Sequence, residues 1–177
     1  MTPRIIYIPL LIFFCCASGA GLAQSGAPPA SAPPASATGA PAARVIPRTP
    51  STEKAVAAAT AFINGIIRDS SVDQLMSLCS LPFCHDDSII LLTHAELRSS
   101  LSQLLTAAAG DRAKNHPRVD SAYVLDIRKE ALFSMVPINI YFTVVNMKFT
   151  VGGKEGSKML ILAVQLTDEA RIVGIED

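Results

Sequence analysis

The sequence predicts an α+β domain in which helices come first and a curved, mostly antiparallel sheet follows. Two observations carry this. Val56, Ala59, Ile63, Ile66 and Ile67, and later Leu97, Leu101, Leu104 and Leu105, recur at helical spacing. From Ile138 onward the period falls to two, in three runs, Ile138–Val151, Lys158–Leu166 and Arg171–Glu176. The runs are separated by Gly152-Gly153-Lys154-Glu155-Gly156 and Thr167-Asp168-Glu169-Ala170. A sheet this apolar must bury a face, and the three leucine- and isoleucine-striped helices upstream are suited to cover it.

The amino-terminal residues read as an export signal. Arg4 gives a positive start, Ile5 to Ala17 is an apolar run of 13 residues, and Gly21-Leu22-Ala23 supplies small residues for cleavage after Ala23. The run falls short of the roughly 20 residues that span a bilayer as a helix. Phe13 and Phe14 stand where a signal for lipid attachment to Cys15 or Cys16 needs small residues. Gln24 to Pro50 is rich in Ala and Pro, lacks the apolar bulk to offset its ordering entropy, and is expected to be an extended, disordered spacer. The expected organisation is therefore a signal peptide over 1–23, a linker over 24–50 and a folded domain over 51–177, with a periplasmic or secreted destination.

Composition excludes one class of partner. Lys+Arg and Asp+Glu both number 15, the formal net charge is zero, and no run of basic residues forms a patch. Such a chain has no general attraction for nucleic acid. Membrane contact is expected through the signal segment alone, if it stays uncleaved.

Within the domain, a first helix is expected over about Thr52–Asp69, with Ser51 as its cap and Phe62 widening the apolar stripe. Gly65 inside it costs roughly 1 kcal/mol against Ala and leaves room for close approach of a strand. Ser71-Val72-Asp73-Gln74 has the spacing of a capping box and opens a short second helix. Pro82 forbids its continuation. Leu81–Cys84 reads as a short extended piece, His85–Ser88 as a polar turn, and Ile89–Leu92 as a strand buried on both faces or too short to alternate. Thr93-His94-Ala95-Glu96 is a second capping box and opens the third helix, expected to stop near Gly110 ahead of a polar loop to Pro117. Val119 to Arg128 alternates, with Val119, Ser121, Tyr123, Leu125 and Ile127 on one side. In the long strand Tyr141, Thr143, Val145, Met147, Phe149 and Val151 share one face. Ile138, Ile140, Phe142 and Val144 make the other face apolar until Asn146 and Lys148 turn it polar. A strand apolar on both sides at one end fits a curved sheet, one side wrapping a pocket and the other meeting a partner or a helix.

With the signal removed, Cys79 and Cys84 remain and are expected to pair, as two cysteines in an exported chain usually do. A loop this short stabilises by roughly 2 kcal/mol on the chain-entropy account. Four residues separate the cysteines, where a redox dithiol normally has two. No metal site is expected: Cys84 and His85 are adjacent and point different ways in a strand, and no second ligand cluster exists. No cofactor fingerprint is present, since Gly152-Gly153 belongs to a hairpin turn. The candidates for proton transfer are His85, with Asp86 or Asp87 holding its tautomer, and Asp126 on a strand. Against them stand a solvated turn at His85–Ser88 and an Asp126 paired with Arg128. His94 and His116 are expected at the surface. Phe83, Tyr123, Asn139, Tyr141 and Met147 are the candidates for lining a pocket.

The order of elements resembles the cone-shaped nuclear transport factor 2-like superfamily, which includes ketosteroid isomerase, scytalone dehydratase and the SnoaL-like polyketide cyclases. The residues that carry the resemblance are Ala57-Ala58-Ala59-Thr60-Ala61-Phe62, Asp73 with Leu75, Leu81-Pro82-Phe83, Thr93-His94-Ala95-Glu96-Leu97, Leu160-Ile161-Leu162-Ala163-Val164 and Arg171-Ile172-Val173-Gly174-Ile175. The resemblance implies a cone-like fold, three helices on a curved sheet, whose open end holds a ligand or whose outer sheet face dimerises. No catalytic set of the family maps onto this sequence residue by residue. The expectation is an exported, non-catalytic binding or interaction domain, a homodimer in the family's manner, with a small apolar ligand or an envelope protein as partner. The alternative is an isomerase, dehydratase or cyclase using one carboxylate or His85.

Overall fold

A computed structural model describes residues 46–85, 89–130 and 138–176. The elements, in chain order, are α1 (Pro50–Ile67), α2 (Val72–Leu78), β1 (Cys79–His85), β2 (Ile89–Leu91), α3 (His94–Asn115), β3 (Arg118–Glu130), β4 (Ile138–Val151), β5 (Lys154–Leu166) and β6 (Ala170–Glu176). Among the described residues the strands form one six-stranded sheet in the order β2-β1-β6-β5-β4-β3. Every pair is antiparallel except β1 with β6. This is the mostly antiparallel α+β arrangement expected, and the element order is the one the resemblance implies. The signal segment, most of the linker, and Asp86, Asp87 and Ser88 lie outside the described residues.

Helix starts follow side-chain capping. Thr49, not Ser51, caps α1: its hydroxyl accepts from the Thr52 N–H at 3.2 Å, and the Thr52 hydroxyl accepts from the Thr49 N–H at 2.7 Å. Pro50 stands at the first helical position, where its missing N–H costs nothing. The folded unit therefore reaches ahead of residue 51, and Ile46 packs against the core. Ser71 and Gln74 form the expected box on α2, and Thr93 and Glu96 the one on α3. Glu96 accepts from the N–H groups of Leu92 and Thr93, both at 3.0 Å. These bonds, the Leu92 one first, hold its carboxyl below the ordinary glutamate range.

The expected end of α3 is corrected. The helix passes through Gly110 and runs to Asn115, where His116 takes the left-handed conformation at φ 44° and Pro117 follows. One glycine costs only about 1 kcal/mol in a helix, and that is insufficient to stop it. Gly65 is corrected too. A Cβ there would lie 2.7 Å from Leu75 Cδ2, so the close neighbour is α2 and not a strand.

The core lies between the helices and one face of the sheet. Ala55, Ala59, Phe62 and Ile63 of α1, Leu75 of α2, and Leu97, Leu101 and Leu105 of α3 meet Phe83, Val124, Tyr141, Val145, Leu162, Val164 and Ile172. Each large side chain buried there contributes about 1.5–3 kcal/mol relative to exposure. Two arginines of α3 tie the other helices down: Arg112 donates to the Ile66 carbonyl at 2.8 Å and pairs with Asp69, and Arg98 pairs with Asp73.

Bulges bend the sheet. The β3–β4 register skips Asp120 and Leu125, and the β5–β6 register shifts between Ala163 and Val164. The two skips correct the expected phase of β3. Ala122 and Val124 face the core, whereas Tyr123 and Leu125 are each 46% exposed. β2 takes the second of its two expected forms: it is a three-residue edge strand, too short to alternate, with Ile90 exposed. The β4–β5 turn is Gly152-Gly153 alone, both at positive φ (56° and 79°), with Val151 opposite Lys154. Two positive-φ residues match the twist of the flanking strands, so β5 begins at Lys154 and not at Lys158. Farther along, Phe149 lies over Gly156, its cross-strand partner.

Candidate functional site

Directly opposed residues share a face of a sheet, so the registers sort the candidates. On the helix side stand Phe83, Tyr141 and Met147. Phe83 is 2% exposed and Tyr141 8%, so both are core side chains. His85 is opposite Ile175 on β6 and Ile89 on β2, two residues packed against this same core. Asn139, two residues before Tyr141 on β4, is exposed.

The opposite face carries a different set. The row Phe142–Ala163–Gly174–Cys84 crosses β4, β5, β6 and β1. Beside it run Val144–Ile161–Glu176. Gly174 and Ala163 leave a depression between larger neighbours, an open cavity of about 60 Å³ lined by Cys84, Phe142, Ile161, Ala163, Gly174, Ile175 and Glu176. A Cβ on Gly174 would stand 3.0 Å from the Cys84 carbonyl oxygen, so the floor admits no larger side chain without adjustment. Tyr123 lies on this face opposite Val144, not on the helix side with the other pocket candidates. The five therefore do not line one pocket among the described residues.

Asp126 is opposite Phe142, on the outer face. It accepts from its neighbour's Ile127 N–H at 2.8 Å and from Arg128 Nε at 2.8 Å. The Arg128 guanidinium lies 4.5 Å from the centre of the Phe142 ring. The Asp126 bond holds Arg128 further in its charged form. Asp126 is thus a half-exposed ion-pair member, as the plainer expectation had it, and the sheet separates it from His85. Asp86 lies outside the described residues.

The expected Cys79–Cys84 bridge is corrected, because no bond joins the two sulfurs. Cys79 is opposite Ile172 and belongs to the core under the helices, while Cys84 is opposite Gly174 and lines the depression on the other side. Cysteines whose Cβ vectors point apart cannot be bridged without backbone movement. Burial pushes the Cys79 thiol up from 9.0 to about 12, against the pull of Arg171. A thiol that hard to ionise is a poor nucleophile and a poor metal ligand. Among the described residues no group of three or more His, Cys, Asp or Glu side chains is placed to hold a metal ion, and no helix is long and apolar enough to cross a membrane.

The depression is the feature the sequence reading missed. Its signal was there: Ala163 and Gly174 are small residues set between bulky neighbours in their strands. Seeing them as neighbours requires the β5–β6 register.

No protein-family model and no curated protein matches the chain. Among solved structures it is similar to Aln2 from a Streptomyces species, with a TM-score of 0.45 and 10% identity over 70% of this chain and 88% of that one. It is also similar to a chain described as a calcium/calmodulin dependent protein kinase II association domain from Xanthomonas campestris. There the TM-score is 0.41 and the identity 11%, over 76% of this chain and 94% of that one. At these identities no residue role is transferred.

Proposed function

We propose that the chain is an exported, non-catalytic binding or interaction domain that self-associates through its sheet. Cleavage after Ala23 releases it to the periplasm or the medium, and the Ala/Pro segment serves as its spacer. The observation that carries this reading is the separation of the polar candidates from one another. His85 belongs to the helix side, Asp126 is spent on Arg128 on the outer side, and the described cavity is lined mainly by apolar side chains. A small apolar ligand or an apolar side chain of an envelope protein fits such a depression. The test is native mass spectrometry of the protein purified from its own host. The expected result is a dimer of chains beginning at residue 24, with a small apolar molecule retained or exchangeable. A ligand-free monomer, or a mass that includes residues 1–23, contradicts the reading.

A second reading is favoured by one observation, the position of His85 beside Phe83 and Ile175 on the helix side. There it would move a proton in an isomerase, dehydratase or cyclase. Under that reading His85→Gln abolishes turnover of a carbonyl substrate while leaving the dimer intact.

A further inference from the structure

We propose that the outer-face depression is a docking site for a basic segment of a partner protein, which sets one small aliphatic side chain between Phe142 and Cys84 and a Lys or Arg over Glu176. The inference rests on the reading that this depression takes an apolar side chain, and it adds the charge and spacing of the segment that carries it. The depression is open and holds about 60 Å³, room for the tip of one side chain and not for a small molecule buried over most of its surface. The apolar surface extends well past it. Ile90 (48% exposed) is opposite Cys84, Tyr123 (46%) opposite Val144 and Met159 (53%) opposite Asn146, so all three stand on this face. Apolar area spread across a sheet in this way fits a length of chain.

Charge selects the sign of that chain. At this end of the face stand Asp126, Glu130 and Glu176 with Arg128, and the Arg171–Glu169 pair, four carboxylates against two guanidiniums. Arg128 is held in its charged form by the Asp126 bond and, beyond it, by the fields of Glu130 and Glu176. Glu176 lines the depression, is exposed, and among the described residues has no ion-pair partner. At the far end of the face Lys148 balances Asp120 and Arg118 balances Glu155. The excess of negative charge therefore lies by the apolar floor, where it attracts a positive segment. A second copy would bring the same excess, so it is not the occupant of this end of the face, and the rest of the sheet is left for self-association. The register sets the spacing. Gly174 and Glu176 are two residues apart on β6 and share the outer face, about 7 Å at the rise of a strand. Side chains two apart in an extended peptide have the same separation. The segment is therefore an aliphatic residue with Lys or Arg two positions away.

The experiment is an NMR titration of the isotope-labelled exported chain with short peptides at low salt. The probes are Lys-Ser-Val-Ser-Lys, its neutral counterpart Gln-Ser-Val-Ser-Gln, and Lys-Ser-Gly-Ser-Lys, which lacks the aliphatic tip, all blocked at both ends. The first is expected to move the amide signals of Ala163, Gly174 and Glu176 and to bind about fivefold more tightly than either of the others. Glu176→Gln changes an exposed side chain, and it is expected to weaken the first peptide about threefold while leaving the neutral one unaffected. A neutral peptide that binds at these amides as tightly as the basic one, or a Glu176→Gln variant that binds the basic one unchanged, overturns the inference about charge and leaves the apolar site standing. A Gly peptide as tight as the Val peptide overturns insertion into the depression. If no peptide moves these amides, the inference and the reading of the depression as a binding site both fail. Signals at these amides that move when the protein alone is concentrated place a second copy there and overturn the proposal.

Discussion

The β-carbon that Gly174 lacks would stand 3.0 Å from the carbonyl oxygen of Cys84 and 3.3 Å from its Cβ. Backbone cannot swing aside as a side-chain tip can. Gly174→Ala therefore forces β1 and β6 apart and is expected to cost about 1–3 kcal/mol in urea unfolding. Gly110 sits in α3 with nothing within 4 Å of its missing Cβ. There the same substitution is expected to stabilise by about 0.5–1 kcal/mol. An equal effect at both sites would contradict this account.

Arg112 and Arg98 look alike in sequence and differ in setting. The Arg112 side chain is 15% exposed and donates to the last turn of α1, whereas Arg98 and its partner Asp73 are 55% and 74% exposed. Arg112→Ala is expected to cost about 1–2 kcal/mol, because it leaves the Ile66 carbonyl without its cation. Arg98→Ala is expected to cost under about 0.5 kcal/mol. Thermal unfolding of the two variants side by side decides the point.

Cys79 sets an alkaline limit. Its thiol ionises near 9.0 in the unfolded chain and near 12 in the folded one, so between these values the folded state holds more protons. Stability from this group is fully present below pH 9 and declines by about 1.4 kcal/mol per pH unit as pH rises towards 12. Cys79→Ala is expected to flatten that decline in urea titrations between pH 9 and pH 11. Alkylation of native protein at pH 8 should leave Cys79 unmodified until the chain unfolds.

The Gly152-Gly153 turn makes a sharper conformational prediction. Both residues have positive φ. Gly152→Asn is expected to be nearly neutral, since Asn tolerates that region, while Gly152→Val costs about 1–3 kcal/mol. Hydrogen exchange at Thr150 and Glu155 reports fraying of the hairpin in the second variant and not in the first.

The legible part of the fold was the part written in local chemistry. Ser71 with Gln74 and Thr93 with Glu96 announce their helices, and the two faces of Ile138–Val151 emerge as their alternation implies. Errors arose where a tertiary arrangement overrides local pattern. Val119 to Arg128 alternates cleanly on paper, yet the skips at Asp120 and Leu125 hand the core side to Ala122 and Val124. Cys79 and Cys84 are close in sequence, but five steps along β1 answer to two along β6, and the cysteines emerge on opposite sides. Neither displacement leaves a mark in composition. For the candidate site, Phe83 and Tyr141 were recognisable as apolar and strand-borne. That they fill the core, while Gly174 and Ala163 open a space behind it, depends on which strands become neighbours.

The placement of β6 has a consequence for the order of assembly. β1 and β2 belong to the first half of the domain and β3, β4 and β5 to the second, and among the described strands β6 joins the two groups. It is also the last of the described strands in chain order. The early hairpin and the late meander become one sheet only through residues 170–176, a pairing between distant parts of the chain of the kind that forms slowly.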